Sequence, residues 1–200
     1  MIIGGRKVEF DSEEHIYKVD GKIIPNVSTI LGTTLFKNKY GDVPLEVLEK
    51  ARMFGSEVHN AIEFKEPMFL NDLQKIKYYE FFDLIKKNDI EIIEKEQIVY
   101  YVVDDVVVYI GKFDLIVKYA NDLMIGDIKT TYNLDRQYLS WQLSMYKLAW
   151  EQLYGKELKK GLAFWLPKRK ASSLHSIKFK TKQEILKVVE IYGDTIQEQR

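Results

Sequence analysis

Along this 200-residue chain the spacing of apolar positions alternates between strand and helix periods. Residues 7–10, 15–19 and 22–24 are strand-like, and Asp20-Gly21 is a strong tight-turn signal, so a small N-terminal β-hairpin is expected. After Pro25, Asn26 or Ser28 can cap a short helix. Pro44 suits a first helical turn. From there Leu45, Leu48, Ala51, Val58, Ala61 and Ile62 recur close to a helical period. Residues 71–87 form a second amphipathic helix carrying Tyr78, Tyr79, Phe81 and Phe82.

The period then falls to that of strands. Residues 90–103 and 106–119 are rich in β-branched residues and tyrosine, with Asp104-Asp105 as the break. Residues 123–130 make a third strand after the turn at 120–122. Residues 135–154 read as a long helix closed by Gly155. Two more strands follow at 161–167 and 174–180, and Thr181 caps a last helix through Ile196. Helices, a three-strand meander, a helix, strands and a final helix define an α/β fold with a central mixed sheet. No linker or repeat interrupts it. One domain is expected over residues 1–200, with 1–43 as hairpin and lead-in and 44–200 as core.

Composition narrows the chemistry. With no cysteine, the chain has no disulfide framework, cysteine-bound zinc or iron–sulfur cluster of its own. No apolar run approaches the roughly 18–20 residues of a membrane span, and the N-terminus lacks a signal-peptide core, so a cytoplasmic location is expected. Net charge is zero, which argues against a generally basic coat. The charge is nevertheless polarised. Residues 156–182 hold nine basic residues against one acidic, and residues 89–105 hold six acidic against one basic. Such a chain suits a metal at one segment and a polyanion at the other, where Lys168, Arg169 and Lys170 can grip phosphates. Trp141, Trp150 and Trp165 can stack bases, but their periodicity favours core burial for at least two. Gly4-Gly5-Arg6-Lys7 lacks the spacing of a phosphate-binding loop. His15 and His175 fit no motif and read as surface residues.

The segment 111–146 carries the candidate chemistry. Asp127 and Lys129 are two apart on one strand, so both side chains leave the same face. The hairpin to the preceding strand brings Lys118 near Leu123 and sets Asp114 nearly opposite Asp127. Two carboxylates in one place repel unless a cation lies between them. Oxygen ligands completed by water suit Mg²⁺ or Mn²⁺, an ion that activates water at a phosphodiester. Lys129 can orient that water or stabilise the oxyanion. Flanking runs Leu115-Ile116-Val117 and Leu123-Met124-Ile125 say that these strands are buried, where unpaired charge is costly.

Gly111-x-x-Asp114, then Asp127-Ile128-Lys129-Thr130, then Gln142-x-x-x-Tyr146 on a helix resembles the RecB-like branch of the PD-(D/E)XK nuclease superfamily, a group that also holds many phage exonucleases. Upstream, Gly55-x-x-x-His59 is similar to that group's helical motif, and Glu96 stands where many members place an acidic residue. The resemblance spans roughly residues 55–146 and implies a restriction-endonuclease-like αβββαβ core. It further implies Asp114 and Asp127 as metal ligands, helped by the Ile128 carbonyl and by His59. Lys129 would be the catalytic lysine. Glu96 would be a further ligand, although Glu94 shares its strand face and a register shift exchanges them. Gln142 and Tyr146, four apart on one helical face, would point at the site. The implied activity is Mg²⁺-dependent DNA hydrolysis, exonucleolytic, leaving 5′-phosphate and 3′-hydroxyl ends, with a helicase, a recombinase or further copies as partners and no membrane. The alternative is a catalytically inactive nucleic-acid-binding or regulatory module on the same fold.

Overall fold

A computed structural model describes residues 1–12, 14–39 and 41–198. The first strands, β1 (Ile2–Ile3), β2 (Arg6–Asp11), β3 (Ile16–Val19) and β4 (Lys22–Ile24), form a small antiparallel sheet in that order. The expected hairpin is thus its central part. Asp20 and Gly21 both take positive φ, as a two-residue hairpin turn requires. Asn26 then caps α1 (Val27–Thr34), its side chain accepting from the Thr29 N–H.

Two helices precede the main sheet. α2 (Leu45–Phe64) starts after Pro44 and ends where Lys65 turns left-handed. α3 (Asp72–Lys87) begins with a capping box between Asn71 and Gln74. The main sheet then runs β5 (Glu91–Val103), β6 (Val106–Tyr119), β7 (Asp122–Lys129), β8 (Gly161–Trp165) and β9 (Ser173–Ile177), with neighbours in that order. β5, β6 and β7 form an antiparallel meander closed by left-handed pairs, Asp104-Asp105 and Ala120-Asn121. β8 lies parallel to β7, which demands a long crossover, and α4 (Arg136–Tyr154) supplies it. α4 stops at Gly155, φ +65°. α5 (Lys182–Glu198) follows β9, and Thr181 and Glu184 exchange hydrogen bonds at its start.

The mixed sheet buries both faces. On one, Ile116, Ile125 and Ala163 pack with Leu143, Ala149, Ile185 and Val188 of α4 and α5. On the other, Leu115, Val117, Met124 and Phe164 pack with Phe54, Val58, Ile62 and Phe81 of α2 and α3. The N-terminal sheet lies on β5 and β6 through Val8, Tyr17, Val19, Ile98, Tyr100 and Ile110. Of the tryptophans only Trp150 is fully buried. Trp141 lies on the flank of α4, and Trp165 ends β8 with its indole N–H donating to the Thr131 carbonyl, so both stay half-buried.

Candidate active site

Where the meander meets its own charged residues, the ladder opens. β6 and β7 pair from Tyr119 opposite Asp122 up to Leu115 opposite Gly126. The next pair in register would be Asp114 with Asp127. Pairing stops there, and an Asp114 carboxylate oxygen accepts the Ile128 N–H at 2.7 Å. β5 joins β6 through Lys95 opposite Leu115 and Gln97 opposite Phe113, so Glu96 comes level with Asp114. Glu96 has φ +52° inside a strand, a left-handed conformation that costs roughly 1–2 kcal/mol for a residue with a Cβ. The in–out alternation also slips: Phe113 and Ile116 face α4, while Leu115 faces α2. Glu96, Asp114 and Asp127 thus stand in a row across three strands, at the level where β6 and β7 stop pairing.

His59 reaches this gap from α2. Gly55, one turn earlier, permits the approach, since a Cβ there would lie 3.0 Å from the Thr130 hydroxyl. The His59 Nε2 sits 2.9 Å from the Ile128 carbonyl oxygen. That contact is a hydrogen bond only if Nε2 carries the proton, which leaves the Nδ1 lone pair facing the acids. Nδ1 is 3.6 Å from Asp114 and 4.0 Å from Glu96. Burial, and then Lys129, hold the imidazole below its ordinary pKa, so it is neutral near pH 7. One ligand atom each from His59, Glu96 and Asp114 lies within 4.8 Å of the others, a set able to hold a divalent cation.

Asp127 stands apart from this trio. It is 3% exposed, and its side chain pairs with Lys129, whose Nζ is 2.8 Å from Oδ1 and 2.7 Å from Oδ2. Only Oδ1 meets hydrogen-bond geometry; Oδ2 is buried without a donor among the described residues. Burial pushes the Asp127 carboxyl up to about 6, with Asp114 adding to the rise and Lys129 opposing it. Burial likewise raises Asp114, and raises Glu96 with help from Asp114. Burial works against the Lys129 charge, yet Asp127 and Asp114 outweigh it and lift its pKa to about 12. Three carboxylates held high and a neutral imidazole with its lone pair turned toward them fit a divalent metal, which would reverse each carboxylate shift. The expected Ile128 carbonyl is engaged in holding His59.

Gln142 and Tyr146 occupy the α4 face over Gly111. A Cβ on Gly111 would meet the Tyr146 ring at 2.5 Å and Val27 at 3.3 Å, which explains the glycine of the motif. Tyr146 is buried, burial raises its pKa well above 10, and the Gln142 side-chain N–H₂ donates to its hydroxyl at 3.4 Å. The Gln142 carbonyl oxygen is buried without a donor among the described residues. The pair therefore packs beside the acidic row without bonding to it. The acidic position falls to Glu96 rather than Glu94, which pairs at the level of Ile116.

Two residues escaped the sequence reading. Lys112 Nζ lies 2.5 Å from Glu96; its place two before Asp114 on the same strand was the available signal. Tyr138, four before Gln142, holds the Lys39 ammonium 3.5 Å from its ring centroid. The basic turn after β8 lies beside the end of β7. Lys168 stands 4.1 Å over the Phe54 ring, and Lys170 stands 4.9 Å over Tyr132.

Residues 79–199, more than half the chain, match the PD-(D/E)XK nuclease superfamily, and the chain belongs to it. No curated protein sequence matches significantly. A provisionally assigned exonuclease from Eubacterium rectale is similar in structure, with TM-score 0.50 and 15% identity over 88% of this chain and 79% of its own. The protein SSO0001 aligns with TM-score 0.48 and 17% identity over 87% of this chain and 75% of its own. At 15% identity the likeness to the Eubacterium rectale protein is one of fold. His59, Glu96 and Asp114 on a fold of this superfamily are consistent with a nuclease active site. Among the described residues no helix is long and apolar enough to cross a membrane.

Proposed function

We propose that this chain is a metal-dependent deoxyribonuclease of the RecB-like branch, acting as an exonuclease that leaves 5′-phosphate and 3′-hydroxyl ends. The observation that carries the proposal is the convergence of His59, Glu96 and Asp114 within 4.8 Å, beside the Asp127–Lys129 pair. His59 through Nδ1, Glu96, Asp114 and Asp127 would hold Mg²⁺ or Mn²⁺, with the Ile128 carbonyl as backbone support. When bound, the ion would polarise a phosphoryl oxygen and lower the pKa of a coordinated water.

The chain's own groups account for the rest. The Ile128 carbonyl fixes the imidazole tautomer, as a backbone acceptor behind a metal-binding histidine does. Lys129, protonated at any pH near neutrality, is a fixed cation for the charge that develops on the phosphate and not a base for the water. Gln142 and Tyr146 line the side of α4 toward the acidic row and are proposed to position substrate. Lys168, Arg169 and Lys170 are proposed to hold phosphates outside it.

The test is digestion of end-labelled linear and covalently closed circular DNA with Mg²⁺, Mn²⁺ or EDTA. Wild-type protein should shorten linear DNA, spare circles and stop in EDTA. Asp127→Asn and Lys129→Ala should each lose about 10²-fold or more in rate while remaining folded. Cleavage by either variant at the wild-type rate rejects the assignment, and DNA bound but never cut with either ion leaves the inactive module in its place.

A further inference from the structure

Beyond the acidic row lies a cleft between the first turns of α2 and the chain segments that leave β7 and β8. It measures about 300 Å³ and is lined by Val47, Ala51, Thr130, Tyr132, Lys168 and Arg169 among others. Its position is fixed by α2. Ala51 precedes His59 by eight residues, about 12 Å along the helix axis, and a Cβ on Gly55 between them would lie 3.0 Å from the hydroxyl of Thr130, the neighbour of Lys129. The cleft and the acidic row are therefore successive stations along one helix and one strand.

The lining is amphipathic in a particular way. Val47 and Ala51 give it an apolar wall. Tyr132, 67% exposed, presents an aromatic ring over which the Lys170 ammonium stands at 4.9 Å. Lys168 is held over the Phe54 ring at 4.1 Å and Arg169 is exposed; neither has a carboxylate partner among the described residues. Lys50 on the rim pairs with Glu46 at 2.5 Å. An apolar, aromatic-walled cleft with uncompensated cations at its mouth is complementary to a planar heterocycle attached to a phosphate. A volume of about 300 Å³ suits one such unit.

We propose that this cleft is a subsite for one unpaired nucleotide of the strand being cut, with its base against Tyr132 and a flanking phosphate on Lys168 and Arg169. The inference rests on the nuclease reading for its biological meaning, and it names a substrate class: single-stranded or frayed ends. Stacking requires a base face free of its neighbours, so the cleft selects against intact duplex.

Binding is measured without turnover, in EDTA, by fluorescence anisotropy of a labelled single-stranded DNA oligonucleotide and of a hairpin-closed duplex of equal length. Tyr132→Ala should weaken the single strand about tenfold, the loss of one base–aromatic stack. Tyr132→Phe should bind like wild type, because the ring and not the hydroxyl is used. Arg169→Ala should lower the salt slope by about one unit. Duplex affinity should move less than twofold with Tyr132→Ala. Unchanged single-strand affinity, or an equal loss on both probes, overturns the proposal. Because no step requires cleavage, a protein that binds in this manner but never hydrolyses DNA defeats the nuclease reading alone. One that digests DNA with no contribution from Tyr132 defeats this inference alone.

Discussion

Asp127 combines a buried position, an adjacent cation and a carboxyl lifted to about 6. In the unfolded chain its pKa returns to about 3.8. Between those values the unfolded state releases its proton while the folded state keeps it, so this group destabilises the fold as pH rises from about 4 to 6, with the full penalty above. In EDTA, Asp127→Asn should therefore gain on wild type across that window and hold a constant advantage at pH 7–8, as read from thermal melts. Saturating Mg²⁺ should remove or invert the advantage. A difference independent of pH would show that the carboxylate is not ionising against its surroundings. Lys129 is the counterpart: its charge depends on Asp127 and Asp114, so the three side chains act as one unit.

At the level of the strand, the unusual feature is Glu96 with φ +52°. Strain of that kind persists only where the surrounding structure enforces it. Comparing Glu96→Gly with Glu96→Ala isolates the backbone, since both remove the carboxylate and only alanine keeps a Cβ. The glycine variant should be more stable by about 1 kcal/mol in urea melts, and both should lose affinity for Mn²⁺. Equal stabilities would mean that the strand relaxes once the carboxylate is gone. Gly111 makes the complementary case in β6. A methyl there meets the Tyr146 ring, so Gly111→Ala should cost about 1–3 kcal/mol through overpacking. It should also slow hydrolysis by shifting α4 against the acidic row.

For the molecule as a whole, a metal that binds only the folded state must raise its stability. At a hundred times the dissociation constant the gain is about 2.7 kcal/mol, or roughly 5–10 °C in melting temperature for a chain of this size. Calorimetry with Mn²⁺ should show that rise in wild type and little of it in Asp114→Asn, whose Oδ otherwise faces His59 and caps the Ile128 N–H. An equal rise in the variant would place the ion elsewhere. Zero net charge does not weaken the expected interaction with DNA, because the acidic and basic residues lie in different segments and a local field governs encounter.

Much of this was legible along the chain because it is local. Periodicity marks α2–α5 and the meander, and turn residues such as Asp20-Gly21 set hairpin register, so the opposition of Asp114 and Asp127 followed from counting. The remaining features are non-local, and spacing does not encode them. That Glu96 rather than Glu94 joins the row depends on a left-handed residue in β5. That His59 faces Asp114 depends on how closely Gly55 lets α2 approach Thr130. That Lys112 pairs with Glu96 depends on how β5 and β6 register across their hairpin, and that the Ile128 carbonyl holds an imidazole depends on a contact between segments dozens of residues apart. Sequence alone determined which residue types were available and in what order; three-dimensional packing decided which of them meet, because side-chain encounters across strands and helices are set by backbone approach and not by position in the chain.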